Sequence, residues 1–381
     1  MQNQKHLFDI PEDVTYFNTA SMSPILQSTN QAGKKALDEK SNPFTITGDD
    51  FFTPLGILKK QFAQLINTDE SQRVAAISSA SYGIATVTNN IILNAGDEIL
   101  IVESQFPSNV YAWERLAEKY NAKLVTVNKP KDKLNRGKNW NLNILDHITD
   151  KTAVVTMGQI HWTDGTLFDL KSISNKIKSH HGLLIIDGTQ SIGALPFSVK
   201  DIQPDAVICA SYKWLLGPYS YGLAYYGAYF DNGIPIEENW SNRLDSEKFT
   251  GEYQSEYKSQ ANRYNTGESA NFIAVPMLQD SIAKILEWTP EYIQSYCDDI
   301  SKHVIKPISK LGCTIEDSNF RAKHLFGIEL PSHIDLAKLK MELEKQRVFI
   351  TIRGHYMRVS CHLFNTKSDF DTLLECLTAV L

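Results

Sequence analysis

Two side chains of complementary chemistry close two apolar runs: Asp187 at the end of LLIID, and Lys213 just past AVICA. A lysine amine can hold an aldehyde as a Schiff base, and a carboxylate can keep a pyridine nitrogen protonated. Together these are the demands of pyridoxal phosphate. Val207, Ile208, Trp214 and Leu215 flank the lysine, and apolar surroundings depress an ammonium's pKa toward the range where the amine is a nucleophile. Taken alone, the two residues suit a surface lysine beside a turn equally well. Neighbouring motifs extend the pattern. Ser81 lies with Tyr82 in SSASYG, where small and hydroxyl residues open a helix, and a helix N-terminus offers free N–H groups to a phosphate. A Ser-rich cap also suits a helix that binds nothing. Phe106, in ESQFPSNVY, presents a flat ring that either stacks on a pyridine or packs in the core. Gln190, in DGTQS, either donates to the cofactor's phenolic oxygen or holds its own turn.

Such residues need a scaffold to bring them together. Apolar runs of strand length occur at 98–103, 123–127, 152–157, 183–187, 206–210 and 221–226, with helical periodicity between them at 108–120 and 169–181. Alternation of this kind predicts βαβ units and a mostly parallel sheet covered on both faces. Ligands of such sheets sit beyond the carboxyl ends of the strands, where Asp187 and Lys213 fall. After Pro276 the texture changes to long helices at 277–288 and 291–310, short strands near Cys313, Phe326 and Phe349, and a last helix from Lys367. The expected division is an N-terminal segment 1–20 packing on a small domain, a large α/β domain over 21–275, and a small α+β domain over 276–381. The basic stretch 128–140 reads as a solvated loop.

At 381 residues the chain can bury a sizeable core, and 42% hydrophobic with 22% charged residues is ordinary for a globular protein. A net charge of −6 argues against nucleic acid or an anionic membrane as the main partner. The five cysteines lack metal-ligand spacing and read as reduced thiols, so no metal is expected. The opening MQNQKHLFDIPED has no apolar signal core, and no run approaches the ~20 apolar residues of a membrane span, so a cytoplasmic location is the default expectation.

The ordered segments SSASYG, ESQFPSNVYAW, HWTDGTLFDL, IIDGTQSIGALPFSV, CASYKWLLGPYSYG, YNTGESANF and MRVSCHLFNTKSDFD resemble the class V aminotransferase family over nearly the whole chain. The resemblance implies the aspartate-aminotransferase-like fold (fold type I), with a mostly parallel seven-stranded sheet in the large domain and a smaller α+β C-terminal domain. It implies pyridoxal 5′-phosphate held by Lys213 as the Schiff-base lysine, Asp187 at the pyridinium, Gln190 at the 3-hydroxyl and Phe106 against the ring. Ser81, Tyr82, Ser211 and Tyr212 match its phosphate-binding positions. Arg358 matches the arginine that grips a substrate carboxylate in a bidentate fork. An amino acid and keto acid are therefore the implied substrates, and a homodimer with shared active sites is the implied assembly, with segment 266–271 reaching the partner's phosphate. His161 and Trp162 fall near pocket-lining positions. Arg353 is either a second anion contact or a solvated loop charge, and His355 and His362 are either acid/base groups or plain hydrogen-bonding residues.

Transamination is the reaction expected of Lys213. A kynureninase-like or C–S lyase and an amino-acid epimerase of the same fold are the alternatives, followed by a non-catalytic binding protein. Cysteine desulfurases of that family carry a catalytic cysteine in a loop around an Arg-x-Gly-His-His-Cys pattern, where this sequence has Ile352, Arg353, Gly354, His355, Tyr356 and Met357. A persulfide role for Cys361 is not expected. Loops at 21–24, 42–52 and 240–257 are expected to surround the substrate side chain, whose identity the sequence leaves open.

Overall fold

In the computed structural model, which describes residues 2–132, 135–248 and 251–381, the apolar runs become strands. In chain order these are β1 (Thr15–Tyr16), β2 (Val74–Ile77), β3 (Glu98–Val102), β4 (Lys123–Val127), β5 (Thr152–Gly158), β6 (Leu183–Asp187), β7 (Ala206–Ala210), β8 (Gly222–Tyr226), β9 (Thr314–Ile315), β10 (Leu325–Glu329), β11 (Val348–Phe349), β12 (Thr351–Arg353) and β13 (Tyr356–Ser360). Seven of them form one sheet in the order β2-β8-β7-β6-β5-β3-β4. β8 runs antiparallel to β2 and β7, and the remaining pairs are parallel. Parallel strands are covered on both faces, which is why these runs are apolar throughout rather than at alternate positions. The alternation instead sorts residues between two cores. Ile77, Ile99, Val154, Ile185 and Ile208 pack with Trp113 and Leu116 of the helix Tyr111–Tyr120. Leu100, Val155, Ile186 and Val207 belong to the other core, with Leu58 and Phe62 of Thr53–Leu65 and Ile173 and Ile177 of Leu170–Ser179.

That second core runs on without a break into the C-terminal region, through Leu278 and Ile282 of Ala274–Trp288 to Phe326, Val359 and Phe370. There a four-stranded antiparallel sheet, β12-β13-β10-β9, is joined by the helices Pro290–Lys310 and Lys367–Thr378. The N-terminal segment reaches the same region. β1 pairs with β11 in parallel, and the Ser360 N–H donates to the Phe17 carbonyl at 3.1 Å.

The stretch 128–140 departs from its reading as a solvated loop. Residues 133 and 134 lie outside the described residues, but the helix Arg136–His147 begins within the stretch, and Arg136 and Trp140 are buried. The Arg136 guanidinium approaches Glu329 at 3.4 Å, Glu316 at 3.6 Å and Asp164 at 3.7 Å. Three carboxylates thus draw the arginine inward, and the indole of Trp140 follows the apolar face of the helix. In the stretch 240–257, residues 249 and 250 also lie outside the described residues. Among the described residues no helix is long and apolar enough to cross a membrane.

Candidate active site

The carboxyl ends of β2, β3, β5, β6 and β7 open on one edge of the large sheet. Chain order reverses between β5 and β3, and such a reversal leaves a crevice for ligands. A cavity of about 240 Å³ occupies this edge, walled by residues that follow each of the five strands.

Lys213 enters the cavity from the turn after β7. The turn is anchored by Trp214, Leu215 and Leu216, all fully buried, and it rests on Gly193. Gly193 has φ +102, and a Cβ there would stand 2.2 Å from the Trp214 carbonyl oxygen, so glycine is what lets the two backbones meet. The Lys213 side chain is buried, and among the described residues its ammonium makes no hydrogen bond. The nitrogen lies 5.3 Å from the centroid of the Phe106 ring and 5.4 Å from that of Tyr212. Burial pushes the amine down to about 8, against the attraction of Asp187 and with the help of Arg358. Asp187 closes β6 in the same wall, where one carboxylate oxygen accepts from the Thr189 N–H at 3.0 Å.

At the far side, the helix Ala80–Asn89 points its first turn at the cavity. The Ser79 hydroxyl caps it by accepting from the Tyr82 N–H, and the Ser79 and Ser81 hydroxyls lie 2.9 Å apart. Of the four side chains that the resemblance assigns to phosphate, Ser81 and Tyr212 face the cavity. Tyr82 and Ser211 do not. The Tyr82 hydroxyl turns to Thr266 and Glu237, and burial with the nearby Glu237 carboxylate pushes it up to about 12. Ser211 is fully buried and spends its single proton on the Tyr221 or Pro218 carbonyl.

Gln190 lines the wall with its amide already half committed. One N–H donates to the Ala20 carbonyl at 3.0 Å, and its oxygen accepts from the Trp214 indole at 2.9 Å, which leaves the second N–H. Asn109, three residues past Phe106, also lines the cavity, and the sequence reading missed it. Its oxygen accepts from the Trp113 indole at 2.8 Å and the Thr156 hydroxyl at 2.9 Å, while its buried amide nitrogen has no partner among the described residues. A buried orphan donor on a cavity wall calls for a ligand acceptor. The only signal in the sequence was an Asn in the FPSN turn, too common to notice.

His161 and Trp162 both line the wall. The His161 ring nitrogens are taken by the Glu103 carbonyl at 3.1 Å and the Thr163 hydroxyl at 2.8 Å. The Trp162 ring meets Phe106 edge-on at 5.4 Å. Arg358 stands just behind Trp162, 3% exposed. It donates to the Trp162 carbonyl at 3.1 Å and to the Ser21 hydroxyl at 2.6 Å, and its buried Nε has no partner among the described residues. Burial lowers it to about 10, helped by Arg353. Arg353 and His355 lie exposed in the β12–β13 hairpin. His362 is sealed in the core, where burial pushes its imidazole down to about 3, which removes it from acid/base work near neutrality. All five cysteines are buried, Cys361 completely.

An amine free of hydrogen bonds, a carboxylate, an orphan amide donor and a helix N-terminus around one cavity fit a group that carries an aldehyde, a pyridine nitrogen, a phenolic oxygen and a phosphate. The comparisons agree with that fit. The chain is 21% identical to a probable cysteine desulfurase of Borreliella burgdorferi over 97% of its length and 89% of that protein. It is also 21% identical to an uncharacterised aminotransferase of Bacillus subtilis, over 84% of this chain and 82% of that one. Among solved structures, the cystine C–S lyase C-DES in complex with cysteine persulfide superposes with a TM-score of 0.85 at 18% identity, covering 97% of this chain and 98% of that one. A mutant of C-DES with glycine covalently linked to its PLP cofactor gives 0.87 at 17% identity, covering 99% and 100%. The family profile described as aminotransferase class-V matches residues 17–373. This chain therefore belongs to the class-V aminotransferase family, with the fold and the pyridoxal 5′-phosphate cofactor of that family.

Proposed function

We propose that the protein is an aminotransferase that passes an amino group from an α-amino acid to a keto acid. The observation that carries this reading is Lys213, buried and free of hydrogen bonds, facing the carbon ring of Phe106 across the cavity with Asp187 beside it. When bound, pyridoxal phosphate supplies an electron sink for negative charge at the substrate's Cα. Asp187 would hold the pyridine nitrogen protonated. The free N–H of Gln190 and the orphan N–H of Asn109 would serve as donors to the phenolic oxygen, and the first turn of Ala80–Asn89 with Ser81 would hold the phosphate. Arg358, whose Nε has no partner among the described residues, would take the substrate carboxylate and is kept in place by Ser21 and the Trp162 carbonyl.

Lys213 would then be the base that takes the proton from the substrate's Cα and holds it for return. Phe106 offers no acid or base, and His161 has both nitrogens engaged, so neither supplies the second base that inversion at Cα would need. This favours transamination over epimerisation. A second reading is a C–S lyase. It is favoured by the match to C-DES, since elimination asks for no thiol and the cysteines here are buried. We take the active unit to be a homodimer.

The test mixes holoenzyme, without keto acid, with a panel of L- and D-amino acids while following the visible absorption of the lysine-bound cofactor. Loss of the band that a keto acid reverses supports the aminotransferase. Ketone, ammonia or sulfide release with the band regenerated makes it a lyase. Lys213→Ala should abolish the band, and a band that survives this change would sink the assignment.

A further inference from the structure

A second cation stands beyond Arg358. β12 and β13 are antiparallel, with Thr351 opposite Arg358 and Arg353 opposite Tyr356. Thr351 and Arg353 point to the same face of the sheet, so Arg353 is the diagonal neighbour of Arg358. Both guanidinium groups lie over the Trp162 indole, at 4.6 Å for Arg353 and 5.8 Å for Arg358. Trp162 in turn meets Phe106, which faces Lys213. A continuous path of rings therefore leads from the lysine to the two arginines.

Charge along this path does not balance. Among the described residues neither arginine has a carboxylate within ion-pair distance. Among the described residues that wall the cavity Asp187 is the one acid and Lys213 the one base of full charge, and the two arginines stand behind the wall at Trp162. Asp164, a buried carboxylate two residues past Trp162, is held by Lys129 and Arg136. The arginines also repel each other, and Arg353 adds to the burial that lowers Arg358. One substrate carboxylate would neutralise Arg358 and leave Arg353 unmatched. Arg353 is open to solvent, yet its guanidinium is held over the same indole as Arg358, a geometry that suits a ligand with two anionic groups.

We propose that Arg353 is a specificity residue that takes the side-chain carboxylate of the substrate, so that the protein acts on dicarboxylic α-amino acids and their keto acids. This rests on the reading of Arg358 as the α-carboxylate clamp. Trp162 positions both arginines, whose guanidinium groups lie over its indole.

The experiment uses holoenzyme in two arms. In the first, kcat/KM is measured for aspartate and glutamate against their neutral isosteres asparagine and glutamine, in the native protein and in Arg353→Met and Arg353→Lys. The expected preference for the acids is about ten- to hundredfold, the range of a charge-assisted hydrogen bond. It should collapse toward one in Arg353→Met and return in part in Arg353→Lys. A native protein without the preference, or a preference that Arg353→Met leaves intact, overturns the proposal. In the second arm, succinate and butyrate are titrated by calorimetry, a readout independent of turnover. Tighter succinate binding that depends on Arg353 upholds the dianion site even where no amino acid alters the cofactor band, a result that would remove only the aminotransferase reading. Equal binding of the two acids removes the dianion site whatever the reaction.

Discussion

Lys213 has its amine in a wall where burial outweighs the attraction of Asp187, which sets a pH dependence for the protein without cofactor. Schiff-base formation needs the neutral amine, and that form is the minority below a pKa of about 8. Capture of pyridoxal phosphate by the apoprotein should therefore quicken as pH rises through about 8 and level above it, as stopped-flow absorbance would record. A lysine at the ordinary value of about 10.4 would still be gaining rate there. At this scale the sequence was partly legible. Lys213, Asp187 and Phe106 announced themselves because strand ends and an FP turn are local signals. Asn109 did not, because its orphan nitrogen arises from Trp113 and Thr156 drawing on the same oxygen, a contact between a helix and a strand distant in sequence. Ser211 and Tyr82 match the family's motifs, yet they turn away from the cavity to carbonyls and to Glu237.

Among the elements, the strands of the large sheet were readable because parallel pairing demands apolar residues on both faces. Strand β2 escaped because Val74–Ile77 contains two alanines and only four residues. Hairpin β12–β13 escaped because Arg353, Gly354 and His355 interrupt the alternation at its turn. The turn that carries Lys213 depends on a contact no local pattern reveals, the approach of Gly193 to the Trp214 carbonyl. Gly193→Ala should cost about 2–4 kcal/mol, because strain at a special φ adds to a backbone clash. Chemical denaturation would measure the loss, and weaker cofactor retention should accompany it as Trp214 shifts Lys213. An unchanged midpoint would show that the two backbones can separate freely.

For the molecule as a whole, one hydrophobic core spans the face of the large sheet and the C-terminal sheet, and we propose that segments 21–275 and 276–381 act as large and small parts, the first of which walls the cavity. A buried ionic cluster joins the same parts. Asp164 meets Lys129 and Arg136, the Gly327 N–H donates to the Asp164 carbonyl at 2.9 Å, and Arg136 reaches Glu316 and Glu329. Burial opposes ionisation of Asp164, but His161, Lys129 and Arg136 outweigh it and hold the carboxyl well below the usual range. Because its folded pKa is depressed, the stability it contributes is complete above the unfolded value of about 3.9 and is lost as pH falls from there through its own lower pKa. Asp164→Asn should lower stability by about 3–5 kcal/mol near neutrality, since it leaves buried cations unpaired. Urea denaturation of the variant against the native protein checks this, and the gap between them should narrow only in strong acid.

The buried cysteines bear on how the protein meets electrophiles. A thiol reacts as its thiolate, and burial raises Cys209 and Cys297 well above their ordinary range and Cys313 and Cys376 to about 11. Iodoacetamide, which silences enzymes that pass sulfur through an accessible cysteine, should label the folded protein slowly and leave its turnover intact. Labelling of one cysteine in step with loss of turnover would mean that a sulfhydryl reaches the substrate after all.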